Sequence, residues 1–455
     1  MTSEVSAVST PHLHLSSLRY ITLGGLSWVA LLAAPPALAL QPLSTFVAGA
    51  RRASTDDRVA ALTAVQQDAE ALAALGRVLP SATARGVYTR NEFESKLTPG
   101  QLGAPSGSAL PSGALVIQSA NQLDGYFQLD APIIDAAGWA RTAAARANAR
   151  AARSTAAATI LDVEKQVARN YYQLVGAAAL HAAGERTLRA AQQNLGLARE
   201  RHAGGVATEL DVYRAASEVE RARQSISDAE LTFELSRRAL RTLSGVAAEG
   251  DVSAASDDLH EESSLESWEG RPLEAIPSVA ASVEQRSTAE STALAAKLAF
   301  LPTLSASAQE HLTNAPGFTG HEALWVLNVT AAWKLDVTTY GTLRSQDAAA
   351  EIARTREVAA RQRALDQVHE SWFRVHDGIA KSRAARAEAQ AAGAAVSRAR
   401  ERYQQGAGTQ LELVQAERDA FSAEVSRIQA DADLSYARAG LRLDAGHTLD
   451  EEITR

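Results

Sequence analysis

Residues 198–245 occur twice. The stretch opens Ala198-Arg199-Glu200-Arg201 and runs through Gly205, Thr208, Leu210 and Asp211 to Leu240 and Gly245. A second copy opens Ala399-Arg400-Glu401-Arg402 and runs through Gly406, Thr409, Leu411 and Glu412 to Leu441 and Gly446. The register does not slip: 406 − 205, 411 − 210 and 446 − 245 are all 201. Upstream, the same offset pairs Val167 with Val368, Tyr171-Tyr172 with Trp372-Phe373, and Asp135 with Asp336. One offset held over so long a span is an internal duplication. A repeat this long makes two structural halves, not a short-period solenoid.

The first half, residues 40–245, opens with an alanine-rich stretch, 43–79, that reads as one helix ending at Pro80. A short strand is expected from 81, then a turn-rich loop over 91–113 with Pro-Gly and Pro-Ser-Gly steps. Residues 115–131 alternate. Leu115, Ile117, Leu123, Phe127 and Leu129 lie on one face, and Gln118, Gln122, Asp124, Gln128 and Asp130 on the other. Period two means a strand with one oily and one wet side, ended by Pro132. The strand hairpin therefore covers about 81–131.

No proline interrupts residues 138–201. Ile160, Val167, Leu174, Leu188 and Leu195 fall on one heptad position, with His181 the polar member. Val163, Ala177, Ala191 and Ala198 share the adjoining one. This is a coiled-coil seam lined largely by small residues. Ala203-Gly204-Gly205 breaks it, and Thr208 can cap a returning helix on which Val212, Val219, Ile226, Phe233 and Leu240 repeat every seven residues. A long antiparallel helical hairpin over about 138–245 follows.

Residues 246–276 carry Glu249, Asp251, Asp257, Asp258, Glu261, Glu262, Glu266 and Glu269 with no lysine or arginine before Arg271. They read as a solvated acidic connector. The second half, 277–446, repeats the plan: helix 277–300, strand hairpin about 303–336, helical hairpin about 342–443, and a tail, 447–455. In 323–336, Ala323, Trp325, Leu327, Val329, Ala331, Trp333 and Leu335 face one way, while Asn328, Thr330 and Lys334 face the other.

Residues 1–39 have the form of a signal peptide. Arg19 precedes the apolar run 21–34, and Ala37-Leu38-Ala39 is a small-x-small cleavage pattern. That run is shorter than the ~20 apolar residues of a membrane-spanning helix. The chain has no cysteine, which excludes disulfides, thiolate metal sites and a cysteine nucleophile. A net charge of −8, without a basic face carrying aromatics, argues against a nucleic-acid partner.

Four alternating strands with aromatics near their ends (Tyr126, Phe127, Trp139, Trp325, Trp333, Tyr340) fit outer-membrane barrel strands. Four strands cannot close a barrel, since the smallest use eight, and open sheet edges do not occur in hydrocarbon. Several chains must therefore share one barrel; three give twelve strands, and two or four remain possible by counting. A periplasmic or surface coiled-coil scaffold or adhesin without channel activity is the alternative. It needs the helices but leaves both strand hairpins without a role.

The duplication, the strand hairpins feeding helices of about 60 residues, and the paired tips Gly205-Val206-Ala207-Thr208-Glu209-Leu210-Asp211 and Gly406-Ala407-Gly408-Thr409-Gln410-Leu411-Glu412 resemble the TolC-like outer-membrane efflux family. The resemblance covers roughly residues 43–446. It implies an α+β membrane duct. Four strands per protomer enter a shared trans-subunit β-barrel in a homotrimer, and long coiled-coil helices form a periplasmic α-barrel. It also implies a passive exit channel-tunnel of tripartite efflux or type I secretion systems, carrying small molecules or protein, with a periplasmic adaptor and an inner-membrane transporter as partners. Leu327, Val329, Trp325 and Trp333 would meet lipid. Gly205, Val206, Gly406 and Ala407 would face the adaptor. By position, Glu412 takes the first carboxylate site of the periplasmic gate, and Gln415 stands where a second is usual. Asp211 and Tyr403 match two members of the closing hydrogen-bond set, and Gly408 replaces an arginine of that set.

Sites for other chemistry were sought. His369 and His376 are two helical turns apart, roughly 10.5 Å along the axis, too far to share one zinc with ligands near ~2 Å. His369-Glu370 lacks the second histidine of HExxH. No catalytic residue, cofactor or metal site is expected, and energy for transport must come from a partner.

Overall fold

The structure is a computed structural model that describes residues 40–97, 115–250, 252 and 257–449. The expected signal peptide, most of the 91–113 loop and the end of the tail lie outside the described residues.

Two helices, α1 (Leu43–Ala53) and α2 (Thr55–Gly76), lead into strand β1 (Ser81–Arg90). The expected single helix over 43–79 is broken at Ser54, whose backbone is extended and whose hydroxyl accepts from Asp57 N. A serine followed by Asp56 and Asp57 is a helix-start signal that overrides the alanine-rich pattern.

Strands β2 (Ser95–Leu97) and β3 (Leu115–Gln118) form a separate two-stranded sheet, and β4 is Asn121–Ile134. The strand expected over 115–131 is therefore two strands. The chain turns at Ser119-Ala120, where Asn91 donates from its side chain to Ser119 O at 2.7 Å and from its backbone to Ala120 O at 2.9 Å. Pro132 does not end β4. It sits at a shift in register against the next strand, where a missing N–H costs little.

From Asp135 the chain enters α3 (Ala136–Ala203), turns, and returns as α4 (Glu209–Ser244). The short α5 (Leu265–Glu269) lies in the connector. Then come α6 (Pro277–Leu298), β5 (Thr303–Thr313), β6 (Ala323–Ala332), α7 (Val337–Gln404) and α8 (Gln410–Asp444). The last strand was expected to reach 336. It stops at Ala332, and the Trp333 indole donates to Phe300 O at 2.9 Å. Helix α7 starts earlier than 342 because Asp336 caps it, accepting from Thr339 N at 2.6 Å and from its hydroxyl at 2.7 Å.

The duplication is built into the backbone. Both α3 and α7 are 68 residues long, about 100 Å at 1.5 Å per residue. Asp135 and Asp336 cap them. Gly205 (φ 74°) and Gly406 (φ 78°) turn the two tips in the left-handed region that glycine enters without strain.

Strands β1, β4, β5 and β6 form one antiparallel sheet in that order. The core lies at the helices, not beneath the sheet. Phe46, Val47 and Ala50 of α1 pack with Val163, Val167 and Leu174 of α3 and Leu240 of α4. Val368, Val375 and Ile379 of α7 pack with Leu434 and Leu441 of α8. Beyond that core the buried positions of α3 and α4 are mostly small, Ala177, Ala191 and Ala198 among them, with Val219. Leu188 and Leu195 stay half-buried.

The connector is more than a solvated segment. Asp257 and Glu262 both bind the guanidinium of Arg438 on α8, whose side chain is only 10% exposed. Leu259 and Trp268 pack against the α7–α8 core. A nearly buried guanidinium requires carboxylate partners, and the connector supplies them.

Candidate functional site

Each helical hairpin ends in the same tip. Thr208 and Thr409 are N-caps of α4 and α8, and each is closed into a capping box by the acid three residues on. Asp211 Oδ2 accepts from Thr208 N at 3.1 Å and from its hydroxyl at 2.8 Å. Glu412 Oε2 accepts from Thr409 N at 3.4 Å and lies 4.0 Å from Arg402 Nη1. Both acids stand where the N-terminal dipole favours a negative charge. Gly205, Val206, Gly406 and Ala407 are exposed at the turns, and Gln415 is exposed one turn beyond Glu412.

Tyr403 is buried, at 3% exposure. Its hydroxyl has no hydrogen-bond partner among the described residues. Within one chain Asp211 makes its hydrogen bonds to Thr208 and none to Tyr403 among the described residues. Burial pushes the Tyr403 phenol upward; Arg201 opposes this and Asp211 reinforces it. The residue that grips Tyr403 is Arg201 of the other hairpin. Its guanidinium carbon lies 4.6 Å from the ring centroid, and Nη1 donates to Tyr403 O. Gly408 carries no guanidinium, so Arg201 provides the one that meets Tyr403. The sequence shows Arg201 in a repeated tetrad; that it crosses to the second tip depends on the spacing between hairpins, which no local pattern encodes.

Further ties join the hairpins behind the tips. Arg418 Nε donates to Glu218 at 3.0 Å and Asn194 donates to Glu417, which also accepts from Arg400 of its own hairpin at 3.0 Å. Arg186 lies 3.4 Å from Glu424. The Glu424 carboxyl is held below the usual range chiefly by hydrogen bonds from Arg427. Arg186, Glu218, Arg418 and Glu424 border a groove of about 640 Å³ between the hairpins, lined also by Ala183, Ala222 and Phe421.

At the other end, cross-strand register sorts the sheet into two faces. Phe127 lies opposite Ala84 and Glu310, and Glu310 opposite Trp325; Leu129 lies opposite Ala82 and Ala308, and Ala308 opposite Leu327. Ala131, Ala306 and Val329 continue that face. It is mainly apolar, with Glu310 in its middle and the Arg90–Asn121 pair at its end. The other face carries Ser81, Thr83, Gln128, Asp130, Ser307, Gln309, Asn328 and Thr330. Trp325, Leu327, Val329 and Trp333 are 76%, 61%, 65% and 67% exposed, so a single chain leaves its oily surface bare.

Asp257, Asp258 and His260 bring possible ligand atoms within 4.8 Å of one another. The Arg438 guanidinium already binds Asp257 and lies 3.0 Å from His260 Nε2, so a cation there would meet a fixed positive charge.

The outer membrane efflux protein family matches residues 101–246 and 271–447. The chain belongs to that family. No curated protein matches it. Among solved structures, the CmeC outer membrane channel of Campylobacter jejuni is similar at TM-score 0.76 and 16% identity, over 97% of this chain and 96% of that one. VceC of Vibrio cholerae is similar at 0.75 and 17%, over 90% and 97%. The open-state MtrE channel of Neisseria gonorrhoeae is similar at 0.71 and 18%, over 90% and 89%. At such identities the likeness is one of fold. The chain is thus an outer-membrane efflux duct of TolC-like fold, with strands for a barrel shared between chains and long antiparallel helical hairpins.

Proposed function

We propose that three copies of this chain form the exit duct of a tripartite export system. It receives cargo from a periplasmic adaptor and an inner-membrane transporter and passes it out through a twelve-strand barrel. The supporting observation is the sheet β1-β4-β5-β6. It has an apolar face and two edges with no strand partner among the described residues. Open edges in hydrocarbon are untenable, and closure requires other copies. Exposed Val59, Leu62, Val65 and Leu72 on α2, and Ile352 and Val358 on α7, give the helices apolar surface for neighbours as well.

In this reading Trp325, Leu327, Val329 and Trp333 face lipid. Gly205-Val206 and Gly406-Ala407 meet the adaptor. Three Glu412 side chains converge at the entrance, where they attract cations and disfavour anions. Arg201 on Tyr403 keeps the two hairpins of each chain together there.

The test is heat-modifiable migration of the outer-membrane fraction. Unboiled protein should run as a trimer and boiled protein as a monomer. A chain that runs as a monomer before heating, or fractionates away from the outer membrane, contradicts the duct.

A further inference from the structure

We propose that Arg85, Tyr126 and His311, braced by Asp124, form a specificity element that recognises anionic groups of cargo on the lumenal wall of the barrel. The proposal rests on the duct reading, which turns the polar face of the sheet inward.

These residues lie side by side on that face. In the register, Tyr126 of β4 is opposite Arg85 of β1 and His311 of β5. The Tyr126 and His311 rings stack with centroids 4.4 Å apart and planes within 6°. The Arg85 guanidinium carbon is 4.8 Å from the Tyr126 centroid. His311 Nε2 is 2.9 Å from Asp124 Oδ1, and Gln122 donates to the other Asp124 oxygen at 2.9 Å. The Asp124 side chain is 7% exposed and that of His311 28%.

The charges in the row are therefore unequal in reach. The Asp124 carboxylate is shielded and engaged by an imidazole and an amide. Arg85 is exposed and has no carboxylate partner among the described residues. Flanked on both sides, Tyr126 presents its edge rather than its faces, and the guanidinium fork beside it suits carboxylate, sulfonate or phosphate groups. The His311 ring covers one face of Tyr126 and is held there by Asp124. Within one chain Glu322, just before β6, is three strands from Arg85, about 14 Å. Asp130 is about 14 Å from Tyr126 along β4. Within one chain both distances exceed the ~10 Å Debye length at 0.1 M salt, so neither of these carboxylates cancels Arg85 there. Glu310 lies on the opposite face. Three copies would place three such rows around one lumen.

The chain has no cysteine, so Gln309→Cys, on the same face two residues from His311, gives a single reporter in the full-length channel. Its rates with anionic sulfonatoethyl and cationic trimethylammonioethyl methanethiosulfonate are each normalised to a small free thiol. Their ratio cancels the reactivity of the thiol itself. The ratio should favour the anionic reagent on the order of tenfold, the low end of what a focused field does to local ion concentration. Arg85→Gln should bring the ratio toward one, and Arg85→Lys should keep it. A parent ratio near one, or one unmoved by Arg85→Gln, overturns the element. So does a thiol that neither reagent reaches in a trimeric, conducting channel. If the unsubstituted protein is not a trimer, the duct reading fails instead.

Discussion

Glu412 has two tasks that substitution can separate. Its backbone and carboxylate close the capping box with Thr409, and its side chain stands at the entrance in the proposed trimer. Glutamine keeps most of the box and removes the charge. Glu412→Gln should therefore leave the trimer intact while weakening cation selectivity and block by trivalent cations. Unchanged selectivity and block would leave Glu412 as a capping residue alone. Arg201→Gln should raise basal conductance, because it releases both the ring and the carbonyl of Tyr403. Tyr403→Phe should do less, since the hydroxyl has no partner among the described residues. The reverse order would show that the phenol, not the guanidinium, holds the tips. The caps at Thr208 and Thr409 were legible from residue type and position, as was the place of Asp211 and Glu412 in the first turn. The Arg201–Tyr403 contact was not, because it joins two hairpins 202 positions apart in sequence.

Among the elements, the strands give the sharpest contrast. Leu327 and Asn328 are neighbours on β6 that pair with Ala308 and Ser307 on opposite faces of the sheet. If the apolar face meets lipid, Leu327→Arg should cost about 2–4 kcal/mol near mid-membrane, and Asn328→Arg should cost little. Chemical unfolding from vesicles measures both, and equal losses would reject the assigned facing. Period-two alternation made this facing readable, since one residue of slip inverts every side chain. Where local chemistry competed with the pattern, the pattern misled. Ser54 breaks an alanine-rich run by capping. Asn91 fixes a turn inside what reads as one strand. Pro132 is tolerated at a register shift. The connector was legible in part: Asp258, Glu261, Glu266 and Glu269 are exposed as expected, but Arg438, some 180 residues away, draws Asp257 against the helices.

For the whole molecule, the duplication carries most of the information. It implies two like hairpins per chain, and the lengths of α3 and α7, with capped starts and glycine turns at equivalent positions, meet that expectation. What one chain lacks is closure, as the bare faces of β6 and α2 show. If the tips dock on an adaptor, photocrosslinkers at Ala207 and Ala407 should capture a periplasmic protein in cells. Crosslinks to inner-membrane lipid, or to nothing in cells that export cargo, would count against that docking. The central claim is that copies of this chain enclose a water-filled path across a membrane. Single-channel recording of the purified oligomer in a planar bilayer addresses it most directly. Discrete, uniform conductance steps from the trimer, lost after heat dissociation, are expected. A well-folded trimer that inserts yet carries no steps, with Arg201→Gln equally silent, would contradict it.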